Sequence, residues 1–486
     1  MRSIKLSLLV LAALCAASPP NPAQARTASR ETEWMQVLLE GRKIGWNRHV
    51  RQEIRDRVET TETLHVTLDR IGTPVRMETE QQSIETPDGR ALGFRFKSSL
   101  SGSDTEVEAE VAPDGRVVLR KGEAGSAPQA WPDGALLAEG LRRLERERGL
   151  EPGTTYSALA FQPDMMAAVE SVVTVIGKER VTILGREALL THVVERVDLP
   201  GAPMEIQLWV DDQYREQRVE FPMLGMTLEL VACDERQAHA PDQPPDVLDR
   251  TLVVAPRGLE GADLAGRVRY DLVLPDGKDI AQLPDTGEQQ VKALDGGHVE
   301  VTVAALPAAD GRGPPDAADT QATRWLQSDA EELRRLAASA IAGVDGDRAR
   351  MLKLEQFVRG YITRKNLRVG YASALETVHS REGDCTEHAL LLAALARSVG
   401  IPARVVDGLA YTPSYGGRAH VFVPHAWAQA WVDGRWQSFD AALAGFDAGH
   451  IALNVGDGDP SGFYAGVSLL GRIRLERVEP MATSVP

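Results

Sequence analysis

Apolar and polar residues alternate along much of the first part of the chain, from residue 30 to about residue 122. Residues 59–68, ETTETLHVTL, show the pattern clearly. Turn signals interrupt it at Pro87-Asp88-Gly89 and at Pro113-Asp114-Gly115. Alternation broken by turns of this kind predicts an antiparallel β-meander.

The same β pattern returns after a short segment with helical spacing at residues 136–147. Further strands are predicted at residues 170–176, 187–197, 204–210 and 223–231. We therefore predict one β-rich region over residues 26–240, built as one curved sheet or as two similar units. The pattern does not distinguish a sheet that binds an apolar group or a partner from a purely structural one.

Two linkers divide the rest of the chain. Residues 241–245 contain three prolines, and residues 308–319 are rich in Ala, Asp, Gly and Pro. Strand patterns between them predict a small β-domain at 246–306. Helical spacing begins near residue 322, which predicts a separate α+β domain at 320–478.

The N-terminus has the features of a signal peptide. Arg2 and Lys5 precede an apolar run at residues 6–17, which is followed by the small-x-small sequence Ala23-Gln24-Ala25. The run is shorter than the roughly 20 residues that span a bilayer. We predict cleavage after residue 25, no transmembrane anchor after cleavage, and a periplasmic or secreted location. Lipidation of Cys15 is the alternative, but Leu14 stands where a small residue is expected.

The net charge of the chain limits the classes of partner that it is expected to bind. The 486 residues include 70 acidic and 54 basic side chains, which gives a formal charge of −16. Nucleic-acid binding needs a basic surface that neutralises phosphate, so nucleic acid is not an expected partner. The 43% hydrophobic content is typical of folded protein.

Cys385 stands at the predicted start of a helix. Removal of the signal peptide leaves Cys233 and Cys385, too few for a disulfide framework. Asp384 is a suitable N-cap, and Gly400 a suitable residue just beyond the helix end. The positive end of a helix favours thiolate over thiol, and its amides could receive an oxyanion. A buried structural cysteine is the alternative interpretation.

A predicted hairpin brings a histidine and an aspartate to one face. Asp433-Gly434 is a two-residue turn signal, so opposed residues have numbers that sum to 867. His425 and Asp440 then project from the same side as diagonal neighbours, as a base and its orienting carboxylate require. The same rule places His420 on the opposite face. A structural sheet histidine remains the alternative, and a metal site lacks a close pair of Cys or His ligands.

These segments resemble the transglutaminase-like superfamily. The resemblance rests on Gly383-Asp384-Cys385, on Gly400-Ile401-Pro402-Ala403-Arg404-Val405, on His425-Ala426-Trp427, on Trp431-Val432-Asp433-Gly434-Arg435-Trp436 and on Phe439-Asp440. It implies a papain-like α+β core in which the cysteine helix packs on an antiparallel sheet, preceded here by antiparallel β-rich domains. It also implies a catalytic triad of Cys385, His425 and Asp440.

By the same resemblance, the protein is expected to be a cysteine hydrolase or acyltransferase, a peptidase or transamidase. Cys385 would form a thioester with a peptide or carboxamide carbonyl, and peptide or protein, including cell-wall peptide, would be its substrate. No cofactor or metal is expected, because no acidic loop justifies carrying calcium over from animal members. Tyr361 and Tyr371 are both candidates for a side-chain oxyanion donor, and His388 for a packed or supporting residue. A non-enzymatic binding or scaffold protein with the same fold is the alternative function.

Overall fold

The computed structural model describes residues 29–70, 73–100, 103–121, 129–198, 203–223, 226–246, 251–273, 283–307, 313–365, 371–459, 469–470 and 472–481. The predicted signal peptide with Cys15 lies outside them, as does the start of the linker predicted at 308–319. None of the described helices is both long and apolar enough to cross a membrane. The chain divides into two compact units, residues 1–69 with 74–245 and residues 70–73 with 246–486.

The first unit is built on one antiparallel sheet of fourteen strands. In sequence order the strands are β1 (Ser29–Leu39), β2 (Arg42–Ile54), β3 (Arg57–Arg70), β4 (Thr73–Glu85), β5 (Ala91–Leu100), β6 (Ser103–Val111), β7 (Arg116–Lys121), β8 (Gln129–Ala130), β9 (Thr155–Gln162), β10 (Ala167–Ile183), β11 (Arg186–Asp198), β12 (Pro203–Val210), β13 (Glu216–Met223) and β14 (Met226–Cys233). They run across the sheet from β8 back to β1, then from β14 back to β9. The helices α1 (Ala138–Arg148) and α2 (Glu235–Ala238) complete the unit.

The predicted alternation corresponds to one buried and one solvated face of this sheet. On β1, Met35, Val37 and Leu39 are buried, whereas the residues between them are partly exposed. Part of the buried face is polar. The Glu85 carboxylate accepts the amides of Glu139 and Gly140, which caps the start of α1.

The described strands of the second unit form three sheets, and helices pack beside them. Its strands are β15 (Val253–Val254), β16 (Arg267–Val273), β17 (Gln289–Ala293), β18 (His298–Ala304), β19 (Arg364–Lys365), β20 (Glu382–Gly383), β21 (Ala403–Tyr415), β22 (Arg418–Val432), β23 (Arg435–Phe439), β24 (His450–Gly456) and β25 (Arg474–Met481). Its helices are α3 (Gly261–Leu264), α4 (Glu331–Ala340), α5 (Asp347–Tyr361), α6 (Ala374–Ser380) and α7 (Cys385–Ser398), with short 3-10 turns at Asp295–Gly297 and Ala317–Asp319.

The strands β15, β22, β21 and β24 pair in that order, and β23 pairs with β22. Helix α7 packs on β22 and β21, and α4, α5 and α6 pack around α7. A cysteine helix on an antiparallel sheet is the α+β core that the sequence predicts, with a large antiparallel sheet before it. A short parallel pair, β19 with β20, precedes the cysteine helix.

Another sheet of the second unit, in the order β17-β18-β16-β25, supports the sheet on which the cysteine helix packs. Its last strand comes from the end of the chain. Gln289 exchanges two hydrogen bonds with the backbone of Ala452 on β24, at 2.8 and 2.9 Å. The buried carboxylate of Glu288 accepts the Ser438 amide on β23 at 2.7 Å. These contacts fix the strands of the cysteine-helix sheet from one side.

Candidate active site

Cys385 is the first residue of α7, and a capping box fixes that helix start. The Asp384 side chain accepts the Thr386 amide at 3.0 Å, and the Glu387 side chain accepts the Asp384 amide at 2.8 Å. Gly400, with φ +83°, lies just past the helix end, as predicted. The N-cap prediction is confirmed, and the helix from Thr386 to Arg397 is buried throughout.

The Glu387 side chain lies against Gly383, two residues before the cysteine. Its second carboxyl oxygen accepts the Ala372 amide at 2.9 Å. Burial, together with the neighbouring Asp384 charge, holds the pKa of Glu387 well above its usual range. A Cβ on Gly383 would lie 2.4 Å from the Glu387 Cβ, so only glycine fits there. One buried carboxyl group therefore holds two segments that precede the cysteine, at Ala372 and at Asp384.

The hairpin has the register that the turn signal predicts. Ala428 pairs with Phe439 and Val432 with Arg435, so opposed residues sum to 867. His425 and Asp440 accordingly meet: Nε2 of His425 lies 2.8 Å from Oδ2 of Asp440. Both side chains are buried. The predicted pairing of these two residues on one face is confirmed.

Hydrogen bonds to the backbone and to side chains of a neighbouring helix fix the position of Asp440. Its Oδ1 accepts the amides of Ala442 and Leu443 at 2.8 and 3.0 Å, which turns the chain directly after β23. Its own amide donates to Glu355 at 2.8 Å, and its carbonyl accepts from Arg359 at 2.9 Å, both on α5. The carboxylate orientation is thus set by the backbone and by a neighbouring helix.

His450 is a site residue that the sequence reasoning missed. Its Nε2 lies 3.1 Å from Oδ2 of Asp440, the same oxygen that faces His425, and its Nδ1 lies 3.0 Å from Oδ1 of Asp447. On β21, Gly408 pairs with His425 and Ala410 with His450, so the two histidines share one face. The strand β24 carries little sequence signal, and a bulge at Asp407/Gly408 alters its register.

The two imidazoles shift the ionisation of Asp440. Burial opposes its charge, but the imidazoles of His425 and His450 outweigh burial and hold the pKa of Asp440 well below its usual range. Burial likewise opposes the charge on His450, yet its bonds to Asp440 and Asp447 raise its pKa to about 9. The Trp427 ring lies beside both imidazoles. Its centroid is 6.2 Å from that of His425 and 5.2 Å from that of His450.

The remaining histidines have other positions. His420 is exposed on β22, and its Nδ1 lies 3.1 Å from the Tyr411 hydroxyl. His388 is buried on α7, one turn after Cys385. Its Nδ1 lies 2.5 Å from the Asp384 carbonyl oxygen, while its buried Nε2 has no hydrogen-bond partner among the described residues. Burial lowers the pKa of His388, so this ring is held neutral.

The two tyrosines considered as oxyanion donors both bond to backbone. The Tyr361 hydroxyl donates to the Val378 carbonyl at 3.3 Å, and the Tyr371 hydroxyl donates to the Gly458 carbonyl at 2.6 Å. The Tyr361 hydroxyl therefore links the end of α5 to α6, and the Tyr371 hydroxyl links two loops of the second unit.

The two cysteines of the described chain differ in setting. Both are partly exposed, and neither forms a disulfide with another described residue. Cys233 ends a strand, and burial together with the Asp234 charge raises its pKa to about 11. Cys385 instead begins a helix, where the dipole favours the thiolate. The structure brings His425 and Asp440 into contact, and the helix that Cys385 begins packs on the strand that carries His425.

Two groups of described side chains place three possible metal-binding atoms within 4.8 Å of one another. In His425, Asp440 and His450, the N···O separations are hydrogen-bond distances that require imidazole protons, so we interpret the group as hydrogen-bonded. The other group, Asp271, His298 and Glu476, lies on adjacent strands and is partly exposed. In this group too, Nδ1 of His298 lies at a hydrogen-bond distance from Oδ1 of Asp271, 3.0 Å, so we interpret that contact in the same way.

Three solved structures are similar to parts of the chain. One is a "putative cysteine protease" from Cytophaga hutchinsonii, 16% identical over 47% of this chain and 85% of its own, with a TM-score of 0.27. Another is a beta-barrel-like protein with a domain of unknown function from Brucella abortus, 14% identical over 43% and 98%, with a TM-score of 0.33. The third is a "putative protease" from Parabacteroides distasonis, 10% identical over 79% and 68%, with a TM-score of 0.19.

No curated protein sequence matches the chain significantly. The family model of the transglutaminase-like superfamily matches residues 334–441, a range that begins within α4 and ends just after Asp440. Cys385, His425 and Asp440 all lie within it. The second unit therefore contains a domain of the transglutaminase-like superfamily, whose members are typically cysteine-based enzymes.

Proposed function

We propose that the protein is a cysteine-dependent acyl-transfer enzyme that acts on peptide or carboxamide bonds outside the cytoplasm. In this proposal Cys385 is the nucleophile, His425 exchanges the proton, and Asp440 orients the imidazole. The substrate is a peptide or a protein, with cell-wall peptide included in that class.

One observation carries the proposal. The Nε2–H of His425 donates to a buried carboxylate at 2.8 Å. In a neutral imidazole this leaves Nδ1 as the nitrogen with a lone pair, so Nδ1 is the atom that can take a proton. A histidine fixed in this way is suited to general-base catalysis, and the cysteine helix packs against its strand.

The proposed reaction has two steps. The proton of the Cys385 thiol passes to Nδ1 of His425, and Sγ forms a bond to the carbonyl carbon. The carbon–nitrogen bond then breaks, the proton passes to the departing amine, and a thioester remains. Water or a second amine attacks that thioester, regenerates the thiol and releases a carboxylic acid or a new amide.

The location outside the cytoplasm rests on the sequence of residues 1–25. A thiol nucleophile fits that location because the mature chain would carry only Cys233 besides Cys385. With few cysteines, an oxidising compartment offers Cys385 little opportunity for a wrong intramolecular disulfide.

The test uses the mature chain, a protein substrate such as dimethylated casein, and a fluorescent primary amine. Transamidation of a carboxamide would attach the amine to the substrate and release ammonia, deamidation would release ammonia without attaching the amine, and hydrolysis of peptide bonds would create new termini. Each is measured beside Cys385→Ser and His425→Ala. Activity lost in both variants supports the proposal, whereas a Cys385 that never becomes acylated by any peptide favours the binding or scaffold function.

A further inference from the structure

One carboxylate oxygen serves two imidazoles. Oδ2 of Asp440 lies 2.8 Å from Nε2 of His425 and 3.1 Å from Nε2 of His450, while Oδ1 accepts two backbone amides. A triad needs only the first of these contacts. The second imidazole is buried as deeply as the carboxylate and has no role in the proton transfers proposed above.

The partners of His450 indicate its charge. Its Nε2 faces the Asp440 carboxylate at 3.1 Å, and its Nδ1 lies 3.0 Å from the Asp447 carboxylate and 3.2 Å from the Asp447 carbonyl. Carboxylate and carbonyl oxygens only accept, so each nitrogen can donate to these oxygens only when it carries a proton. The Asp447 amide also lies 3.3 Å from Nδ1, a longer contact that a neutral ring would prefer. The shorter distances favour the imidazolium.

We propose that His450 is a positively charged positioning residue, which acts through Asp440 to hold the carboxylate in place and to weaken proton binding by His425. The inference rests on the proposed role of His425 as the base of the reaction. His450 neutralises part of the Asp440 charge, so less of that charge remains to stabilise a proton on His425. The base therefore returns its proton to the leaving group more readily.

The groups around His450 support this assignment. Asp440 faces it from the turn after β23, Asp447 from the loop before β24, and His425 from β22, with ring centroids 5.7 Å apart. The other neighbours, Trp427 and Phe446, are uncharged rings. The raised pKa of His450, about 9, agrees with a cation at neutral pH.

The charge should act strongly on His425. Two unit charges about 6 Å apart interact by an amount equal to about two pH units at an effective dielectric constant of about 20, and to about one at a dielectric constant of about 40. Removal of the His450 charge should therefore raise the midpoint at which His425 titrates by about one unit. Replacement by glutamine keeps an N–H donor for Asp440 without the charge.

The experiment uses the mature chain with 15N-labelled histidine, as wild type, His450→Gln and His379→Gln. His379 is exposed on α6, and its Nε2 lies 3.0 Å from the Glu332 carboxylate, so it is the matched control. NMR of the ring nitrogens reports the protonation of each histidine. Iodoacetamide labelling across pH reports the reactivity of Cys385 in the same samples.

We expect both nitrogens of His450 to be protonated at pH 7 in the wild type. We also expect the His425 midpoint to rise by about one pH unit in His450→Gln and to stay unchanged in His379→Gln. A neutral His450 at pH 7, or an unmoved His425 midpoint in a folded His450→Gln, would overturn the inference. If His450→Gln does not fold, the ring-nitrogen spectrum of the wild type still decides, because a neutral His450 at pH 7 overturns the inference without any variant.

The two proposals fail in different ways. If His450 is a cation and His425 shifts as expected but Cys385 stays unreactive in every sample, the proposed enzyme function is wrong and the charge assignment stands. If Cys385 is reactive but its pH profile is the same with and without His450, the positioning role is wrong and the proposed function stands.

Discussion

Nε2 of His425 and Oδ2 of Asp440 lie 2.8 Å apart, on the same face of a hairpin whose turn is Asp433-Gly434. Both residues are buried: His425 is 6% exposed, and Asp440 is not exposed at all. Bulk water therefore cannot replace this contact, and the geometry of the base depends on the carboxylate.

Asp440→Asn should slow the reaction of Cys385. An asparagine of the same shape offers one acceptor oxygen and one donor group where two imidazole N–H groups and two amides need acceptors. Loss of the correct His425 tautomer should lower the alkylation rate of Cys385 at pH 7 by at least about tenfold. The rate constant for iodoacetamide, measured by mass spectrometry, checks this. A rate within a factor of two of the wild type would argue against an orienting role for Asp440.

Gly383→Ala should disturb the helix start. The new Cβ would lie 2.4 Å from the Glu387 Cβ, and the Glu387 carboxyl group is held in place by the amides of Ala372 and Asp384. Overpacking of this kind typically costs about 1–3 kcal/mol. The melting temperature should fall, and Cys385 should alkylate more slowly.

Gly360→Ala is the matched control for that substitution. Gly360 lies within α5, and a Cβ there meets nothing within 4 Å. Alanine should stabilise the helix by about 0.5–1 kcal/mol and leave the cysteine unaffected. Equal melting temperatures for the two variants would show that Glu387 can move away from an added methyl group.

The sequence predicts most of this site because its parts are local. The cap of α7 is encoded within four residues, and the hairpin register follows from a two-residue turn. His450 could not be predicted in this way. It reaches Asp440 through two strand pairings, of β22 with β21 and of β21 with β24, and such non-local registers have no signal in the local pattern.

The hydrogen bonds of the Tyr361 and Tyr371 hydroxyls likewise depend on tertiary contacts. Tyr371 donates to the carbonyl of Gly458, which is 87 residues away in the chain. The strand β25 pairs with β16 across more than 200 residues, so a boundary drawn from composition cannot anticipate that sheet. Long-range pairing of this kind depends on the whole fold rather than on any segment.

Stability should fall as the pH rises from about 7 to about 9. The folded-state pKa of His450 is raised to about 9, above the usual value near 6.5, so its contribution is complete below about pH 6.5 and is lost as pH rises through 9. The contribution is on the order of 3 kcal/mol. Two buried carboxyl groups also have raised pKa values, Glu288 at about 6 and Asp407 at about 7. Their ionisation also lowers the stability of the protein as the pH rises, but it does so at lower pH than the titration of His450.

Thermal melting between pH 7 and pH 9.5 checks this prediction. The wild-type melting temperature should fall across that interval, and the fall should be smaller in His450→Gln, which has no group to titrate at that position. The same decline in both proteins would assign the effect to another residue.

The central claim, that Cys385 is an activated nucleophile, is tested most directly by its alkylation rate. Iodoacetamide is added to the mature chain at about pH 6.5, and the labelling of Cys385 and Cys233 is followed by peptide mass spectrometry. Cys385 should react at least about tenfold faster than Cys233, whose pKa is raised to about 11, and His425→Ala should slow Cys385 alone. Equal rates for the two cysteines, unchanged by His425→Ala, would contradict the account.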